Sequence, residues 1–153
     1  MTNPGVHLRI VDEDNVRAAW RLEMEPGQER FGAPVAVSLA QAYVETDEAW
    51  PRLVYDGDEL VGFVMALFDE SENDCHLWRL NIAAGHQRKG YGSFAVLQVA
   101  RESKRRGGRE LNTSYVPGDG SPEGFYERLG FTPTGEMDGD EVVIRLSLDA
   151  IDA

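Results

Sequence analysis

The sequence has little or nothing of three features that would each indicate a class of protein. Its 153 residues include one cysteine, Cys75, so no intramolecular disulfide can form, and this suits a reducing compartment. No apolar run approaches the ~20 residues of a membrane span, and the first residues, MTNPGVHLRIVDED, lack the basic and apolar segments of an export signal. We therefore expect a cytoplasmic protein that has no membrane partner.

Basic residues are also scarce. Fifteen Lys and Arg stand against 27 Asp and Glu, which gives a formal net charge of −12. Such a balance repels phosphodiester backbones and attracts cations, so nucleic acid is excluded as the expected ligand and a cationic partner is favoured.

Histidine and cysteine do not form a reactive or metal-binding constellation in the sequence. The three histidines, His7, His76 and His86, have no metal-ligand spacing, and we expect no metal site. Cys75 and His76 are neighbours in a predicted strand, where successive side chains point to opposite faces. They are therefore not a nucleophile and its base, and we expect Cys75 to be buried.

Apolar residues, in contrast, are sufficient for a core. Hydrophobic residues make up 42% of the chain and charged residues 27%, as in a globular protein. At this length we expect one domain over residues 1–153.

The periodicity predicts a mixed α/β fold with the order β-α-α-β-β-β-α-β-α-β-β. Two copies of Asp-Gly-Asp-Glu, at 56–59 and around Gly139, predict hairpins. A helix between two strands predicts a central parallel pair in a mostly antiparallel sheet. We predict strands at 7–11, 51–55, 60–68, 76–82, 110–115, 131–137 and 142–148.

The predicted helices are read from capping residues and apolar faces. The first follows Asp12 or Asp14 and carries Trp20 on its apolar face, and the second begins at Ser38 with Gln41 in a capping-box pattern. The third spans 92–106, with Leu97 among its buried residues. A short fourth helix has Ser121 as its N-cap and closes at Gly130.

Residues 86–93, HQRKGYGS, are unusual in so acidic a chain. Residues 86–106 carry a net charge of +5, so the rest of the chain carries −17. Cations in the last turn of a helix are common, but Arg88 and Lys89 precede the helix. A loop between a strand and a helix offers unpaired N–H groups to anions, and glycines let the backbone approach a phosphate.

The sequence of this loop also fits two other interpretations. Gly90 and Gly92 alone predict no more than a turn into a helix. Gly90 to Ala95 also matches the G-x-G-x-x-A pattern of dinucleotide-binding folds, but seven residues separate Ile82 from Gly90, and Glu110 begins its strand rather than ending it. The context therefore disfavours a nicotinamide site.

Gln87-x-x-Gly90-x-Gly92 is followed by a second motif, FYERLGF, at 125–131. This pair, in this order and topology, resembles the GNAT superfamily of acetyl-CoA-dependent N-acetyltransferases. The resemblance runs from His7 to Leu148 and, through the SPEGFYERLGF segment, is strongest to bacterial enzymes for spermidine and spermine. It implies a GNAT-like fold and acetyl-CoA as cosubstrate.

The resemblance also implies a set of site residues. Leu80 and Ile82 would pair with the pantetheine arm like an added strand, on a strand that usually carries a β-bulge. Tyr126 would be the acid that protonates the departing thiolate. Backbone amides and side chains of one loop would bind the pyrophosphate: Gln87, Arg88, Lys89, Gly90, Tyr91, Gly92 and Ser93.

The general base is not identified by the sequence. Relatives often use a carboxylate on the central strand, where this chain has Trp78, Arg79 and Asn81. The candidates in the acidic loop at 69–74 are Asp69, Glu70 and Asp74, for which a solvated loop is the favoured interpretation.

We expect direct acetyl transfer to a primary amine in a ternary complex, with a small cationic amine such as a polyamine as the acceptor. A protein N-terminus or a lysine is the alternative acceptor, and a non-catalytic acyl-CoA-binding or sensing module is the alternative function. Exposed sheet edges are compatible with a homodimer.

Overall fold

The computed structural model describes residues 5–28 and 32–152. The described chain contains the predicted order of strands and helices. The elements are β1 (Val6–Arg9), α1 (Val16–Trp20), α2 (Val35–Val44), β2 (Ala49–Asp56), β3 (Glu59–Asp69), β4 (Asp74–Ile82), α3 (Tyr91–Arg105), β5 (Glu110–Tyr115), α4 (Glu123–Arg128), β6 (Thr132–Asp138) and β7 (Glu141–Ser147). None of the described helices is both long and apolar enough to cross a membrane.

The described strands form one seven-stranded sheet in the order β1-β2-β3-β4-β5-β7-β6. Pairing is antiparallel except between β4 and β5, which α3 connects by a crossover. The two predicted hairpins are present, and Gly57 and Gly139 take the positive φ of +61° that each turn requires. The mixed sheet with one parallel pair is confirmed.

The central strands separate part-way along the sheet. In the pairing of β3 with β4, Met65 lies opposite Arg79 but Ala66 lies opposite Leu77, so Trp78 is an extra residue in β4. Within the described strands, β4 and β5 share a single register pair, His76 with Asn112. A β-bulge bends its strand away from a neighbour. The implied bulge is therefore present, and it opens a gap between β4 and β5.

The core lies on both faces of the sheet. One cluster joins α3 and α4 to one face and includes Leu77, Val99 and the free Cys75, which is 4% exposed as predicted. The other cluster joins α1 and α2 to the opposite face and includes Leu53 and Phe63. Both faces of the central strands are therefore packed against helices. Close packing holds these strands in place, so the gap between β4 and β5 has fixed walls.

Some predictions about the helices are wrong, and one of them is Ser121 as the N-cap of α4, because Pro122 holds that position. Ser38 does not begin α2, because the carbonyl of Pro34 already accepts from the amides of Val37 and Ser38, and Ser38 is buried inside the helix. Trp20 is 47% exposed, since it ends the five-residue α1. Leu97 is also exposed, because the face of α3 that packs on the sheet is centred on Ala95, Val96, Val99 and Ala100.

Candidate active site

A cavity of about 880 Å³ follows the gap between β4 and β5. It passes from one face of the sheet to the other. On the α3 side its walls include Leu80, Gly92 and Tyr126, and on the other side they include Trp78 and Glu141. A cavity of this size matches a small-molecule site, and because residues of both faces of the sheet line it, a ligand from each face could meet another inside it.

The loop that ends at α3 has the backbone of an anion-binding turn. Gly90 has φ +85° and directly precedes α3, and Arg88 has φ +64°, which is uncommon for a residue other than glycine. Positive φ values near a helix start turn successive N–H groups toward one point. The N-terminus of this 15-residue helix adds its partial positive charge.

The side chains of this loop divide into anchors and free groups. Gln87 Nε2 donates to the carbonyl of Ile82 at 2.9 Å, so it closes the loop onto the end of β4. Tyr91 Oη donates to Asp56 Oδ2 at 2.6 Å, which together with burial raises the pKa of Tyr91 to about 12. Arg88 and Ser93 are exposed and line the cavity, and Lys89 is exposed outside the lining of the described cavity.

Gly92 packs closely against Phe125. A Cβ at this position would lie 3.2 Å from the ring of Phe125, so a side chain would press α3 and α4 apart. This close approach brings the start of α3 against the helix that carries Tyr126. The two sequence motifs are therefore in contact in the structure.

Leu80 and Ile82 lie on β4 beyond the bulge, half-buried along the cavity. In the described register β5 has already separated from this part of β4. The edge of β4 that faces β5 therefore offers backbone donors and acceptors to a ligand. An extended chain with amide groups, such as the pantetheine arm, fits this open edge, and the anion-binding loop at its end fits a pyrophosphate.

Tyr126 is buried at the same gap, with 7% exposure. Its ring packs edge-to-face between Phe125 and Phe131, at centroid distances of 5.1 and 5.3 Å. Burial raises the pKa of Tyr126 to about 12, against a smaller lowering by a hydrogen bond with Thr113. The hydroxyl therefore stays protonated at neutral pH, as an acid must.

Thr113 is a site residue that the sequence did not reveal. Its hydroxyl donates to the carbonyl of Leu77 at 2.8 Å, and it lies near the hydroxyl of Tyr126, whose pKa it lowers slightly. This side chain bridges β5 and β4 where their backbones part. The sequence offers only a weak signal for it. Side chains alternate along β5, so Thr113 shares the buried face of Leu111 and Tyr115 although it is polar.

The opposite mouth of the cavity is polar. Arg79 Nη2 donates to Gln41 Oε1 at 2.8 Å, Nη1 donates to the carbonyl of Trp78 at 3.0 Å, and burial lowers the pKa of Arg79. Across the mouth are Asp138 and Glu141, from β6 and β7. Sequence reasoning missed these two acids because the hairpin that carries them looks like ordinary turn chemistry.

The acidic loop at 69–74 lies outside the cavity lining of the described chain. Asp69 Oδ1 accepts from the amide and the hydroxyl of Ser71, at 3.1 and 2.7 Å, and these bonds hold the pKa of Asp69 below its usual value. Glu70 meets Arg106 at 3.5 Å, and Asp74 accepts from Asn112. These contacts favour the interpretation of a solvated turn over that of a base.

A model of the acetyltransferase (GNAT) family matches residues 13–131. Spermidine N-acetyltransferase from Vibrio cholerae, in complex with CoA and spermine, is similar in structure, with a TM-score of 0.76, 16% identity and coverage of 95% of this chain and 97% of that one. Ribosomal-protein-S18-alanine N-acetyltransferase from Escherichia coli has a TM-score of 0.70, 15% identity and coverage of 94% of each chain. No curated protein matches by sequence.

A third solved structure shows that the fold serves another acceptor class. An aminoglycoside 6'-N-acetyltransferase complexed with coenzyme A has a TM-score of 0.71, 16% identity and coverage of 96% of this chain and 99% of that one. At identities this low the likeness concerns the fold, and it does not choose among acceptors.

Proposed function

The chain belongs to the acetyltransferase (GNAT) family, and on that premise we propose that it acetylates a primary amine of a small polycation such as a polyamine. The cosubstrate is acetyl-CoA. One observation carries the choice of acceptor: Asp138 and Glu141 line the mouth of the cavity opposite the pyrophosphate loop. Carboxylates there attract an acceptor with several ammonium groups.

The cofactor side of the proposal uses the loop and the open strand edge. Amides of residues 87–93 hold the pyrophosphate, with Arg88 as a cationic side chain beside it. The edge of β4 at Leu80 and Ile82 holds the pantetheine arm. Acetyl-CoA supplies a thioester carbonyl for the amine to attack, and Tyr126 supplies the proton for the departing sulfur.

The remaining features of the proposal are consistent with this acceptor. The charge of −17 outside residues 86–106 favours a cationic substrate over an acidic one. The V. cholerae enzyme of similar fold was solved with CoA and spermine. We propose the cytoplasm as the compartment, where the buried free thiol of Cys75 stays reduced.

The test is release of free CoA thiol from acetyl-CoA with a panel of acceptors. Spermidine, spermine, an aminoglycoside, a peptide with N-terminal alanine and a lysine peptide are compared at equal ionic strength. We expect the highest kcat/KM with a polyamine. If a peptide gives the highest kcat/KM, the protein is a protein acetyltransferase. If CoA binds but no amine is acetylated, the protein is a CoA-binding module without acetyltransferase activity.

A further inference from the structure

We propose that His76 is the general base that accepts a proton from the acceptor ammonium; this inference rests on the proposed function and names a residue for its missing step. His76 lines the cavity described above. It stands on β4 opposite Asn112, at the register pair where β4 and β5 are still joined.

The side chain of His76 points to the acceptor mouth. The side chains of Cys75 and Leu77, its neighbours in β4, are buried in the cluster under α3. Because side chains alternate along a strand, His76 faces the other side of the sheet, where Asp138 and Glu141 lie. The residue pairing excluded by the sequence, Cys75 with His76, stays excluded for the same reason.

His76 and Tyr126 lie on opposite sides of the point where the strands part. Leu77 follows His76, and its carbonyl accepts from Thr113, whose side chain lies near Tyr126. An amine held near Asp138 and Glu141 therefore lies on the same face of the sheet as His76. A base on the acceptor side and an acid on the α3 side suit this reaction. The amine attacks the thioester from one face of the sheet, and the CoA thiolate leaves toward the other.

Charged groups on three strands surround the imidazole. Asp74 and Arg79 lie on β4 itself, Asp138 on β6 and Glu141 on β7, while α2 contributes the neutral Gln41 that binds Arg79. Burial is the largest effect on His76 and lowers its pKa, whereas the three carboxylates oppose that effect.

This setting gives a neutral imidazole next to anions that attract the substrate. At neutral pH an alkylammonium, with a pKa of about 10.4, must lose a proton before it can attack. His76 is half-buried with access to the cavity, so it can take that proton and release it to water. Asp138 and Glu141 then stabilise the imidazolium that forms.

The step balances without any further reactant. One ammonium proton passes to His76 and the C–N bond to the acetyl carbon forms as the C–S bond breaks. Tyr126 gives its proton to the sulfur. The nitrogen then gives a second proton to the Tyr126 oxygen, which returns the tyrosine to its protonated form. The products are the acetamide, the CoA thiol and one proton released from His76.

The experiment compares His76→Gln with His7→Gln, a histidine on β1 outside this cavity. With the wild-type enzyme's best amine at pH 7.5, we expect H76Q to lose about 10²-fold or more in kcat/KM, and H7Q to change less than about twofold. Calorimetric affinity for CoA stays equal in all three proteins. The H76Q deficit shrinks as pH rises, because more of the amine is already neutral.

A second readout does not use turnover. The signals of His7 and His86 are assigned by their loss in H7Q and His86→Gln, and the remaining histidine ring, His76, is titrated by NMR with CoA present. We expect its midpoint to lie below the ordinary histidine pKa, because burial lowers the pKa of His76, and to fall further when spermidine is added, because the bound cation disfavours the imidazolium. Added imidazole should partly restore turnover in His76→Ala, whose cavity it can fill.

The outcomes separate the two proposals. If H76Q keeps its kcat/KM and pH profile with an amine that the wild type acetylates, the role of His76 is overturned and the function stands. A His76 midpoint that is not below the ordinary histidine pKa and does not move when spermidine is added also overturns it, even if H76Q does not fold. If the wild type binds CoA but acetylates no amine, the proposed function fails.

Discussion

At the scale of single residues, the site depends on buried groups with altered acidity. Tyr126 lies between two aromatic rings and keeps its proton because burial raises its pKa to about 12. We expect Tyr126→Phe to lower kcat about 10²-fold with CoA affinity nearly unchanged, since the ring still fills its place. Steady-state kinetics and calorimetry check this.

The rival acid for this prediction is Tyr115, which also lines the cavity at the end of β5. Burial and the nearby Glu123 raise its pKa as well. If Y126F turns over at the wild-type rate and Tyr115→Phe does not, the acid is Tyr115. The same kcat loss in both variants would instead point to a shared effect on the shape of the cavity.

At the scale of elements, we propose that the loop before α3 binds the pyrophosphate through its backbone. Gly90 and Gly139 both have positive φ and open space where a Cβ would stand. Alanine at either position should therefore cost about 1–2 kcal/mol of folding stability. We expect Gly90→Ala, unlike Gly139→Ala, to raise the KM for acetyl-CoA about tenfold, because only that backbone faces the phosphates.

Thermal unfolding and acetyl-CoA titrations of both variants provide the measurement. Gly139 lies in the β6–β7 turn and serves as the matched control for backbone strain. Equal KM values in the two variants, with equal losses of stability, would mean that the loop conformation does not determine cofactor binding.

Most strands, turns and motifs could be predicted from the sequence, because each depends on residues that are close together in the chain. The Asp-Gly turns, the bounds of β5 and the two motifs are examples. The prediction that α2 begins at Ser38 was wrong, because Pro34 is the N-cap and the helix begins earlier. Thr113, Arg79 and His76 were missed as site residues because their importance arises from the gap between β4 and β5, which the bulge at Trp78 creates.

At the scale of the whole molecule, the charge of −12 should guide the acceptor. Raising the ionic strength from about 0.01 M to about 0.15 M shortens the Debye length from about 30 Å to about 8 Å. We expect kcat/KM for spermidine to fall with salt more steeply than for a monoamine of similar length. If kcat/KM falls equally steeply with salt for the two amines, the electrostatic field of the protein does not select polycations.

The central claim is that the two carboxylates at the acceptor mouth select a polycation. The direct measurement is kcat/KM for spermidine in the double variant Asp138→Asn/Glu141→Gln, with Glu136→Gln as the control, an exposed acid on β6 outside the described cavity lining. The account predicts a loss of about tenfold or more in the double variant, about 1.4 kcal/mol or more, and no change in E136Q. Equal losses in both proteins, or none in either, would contradict it.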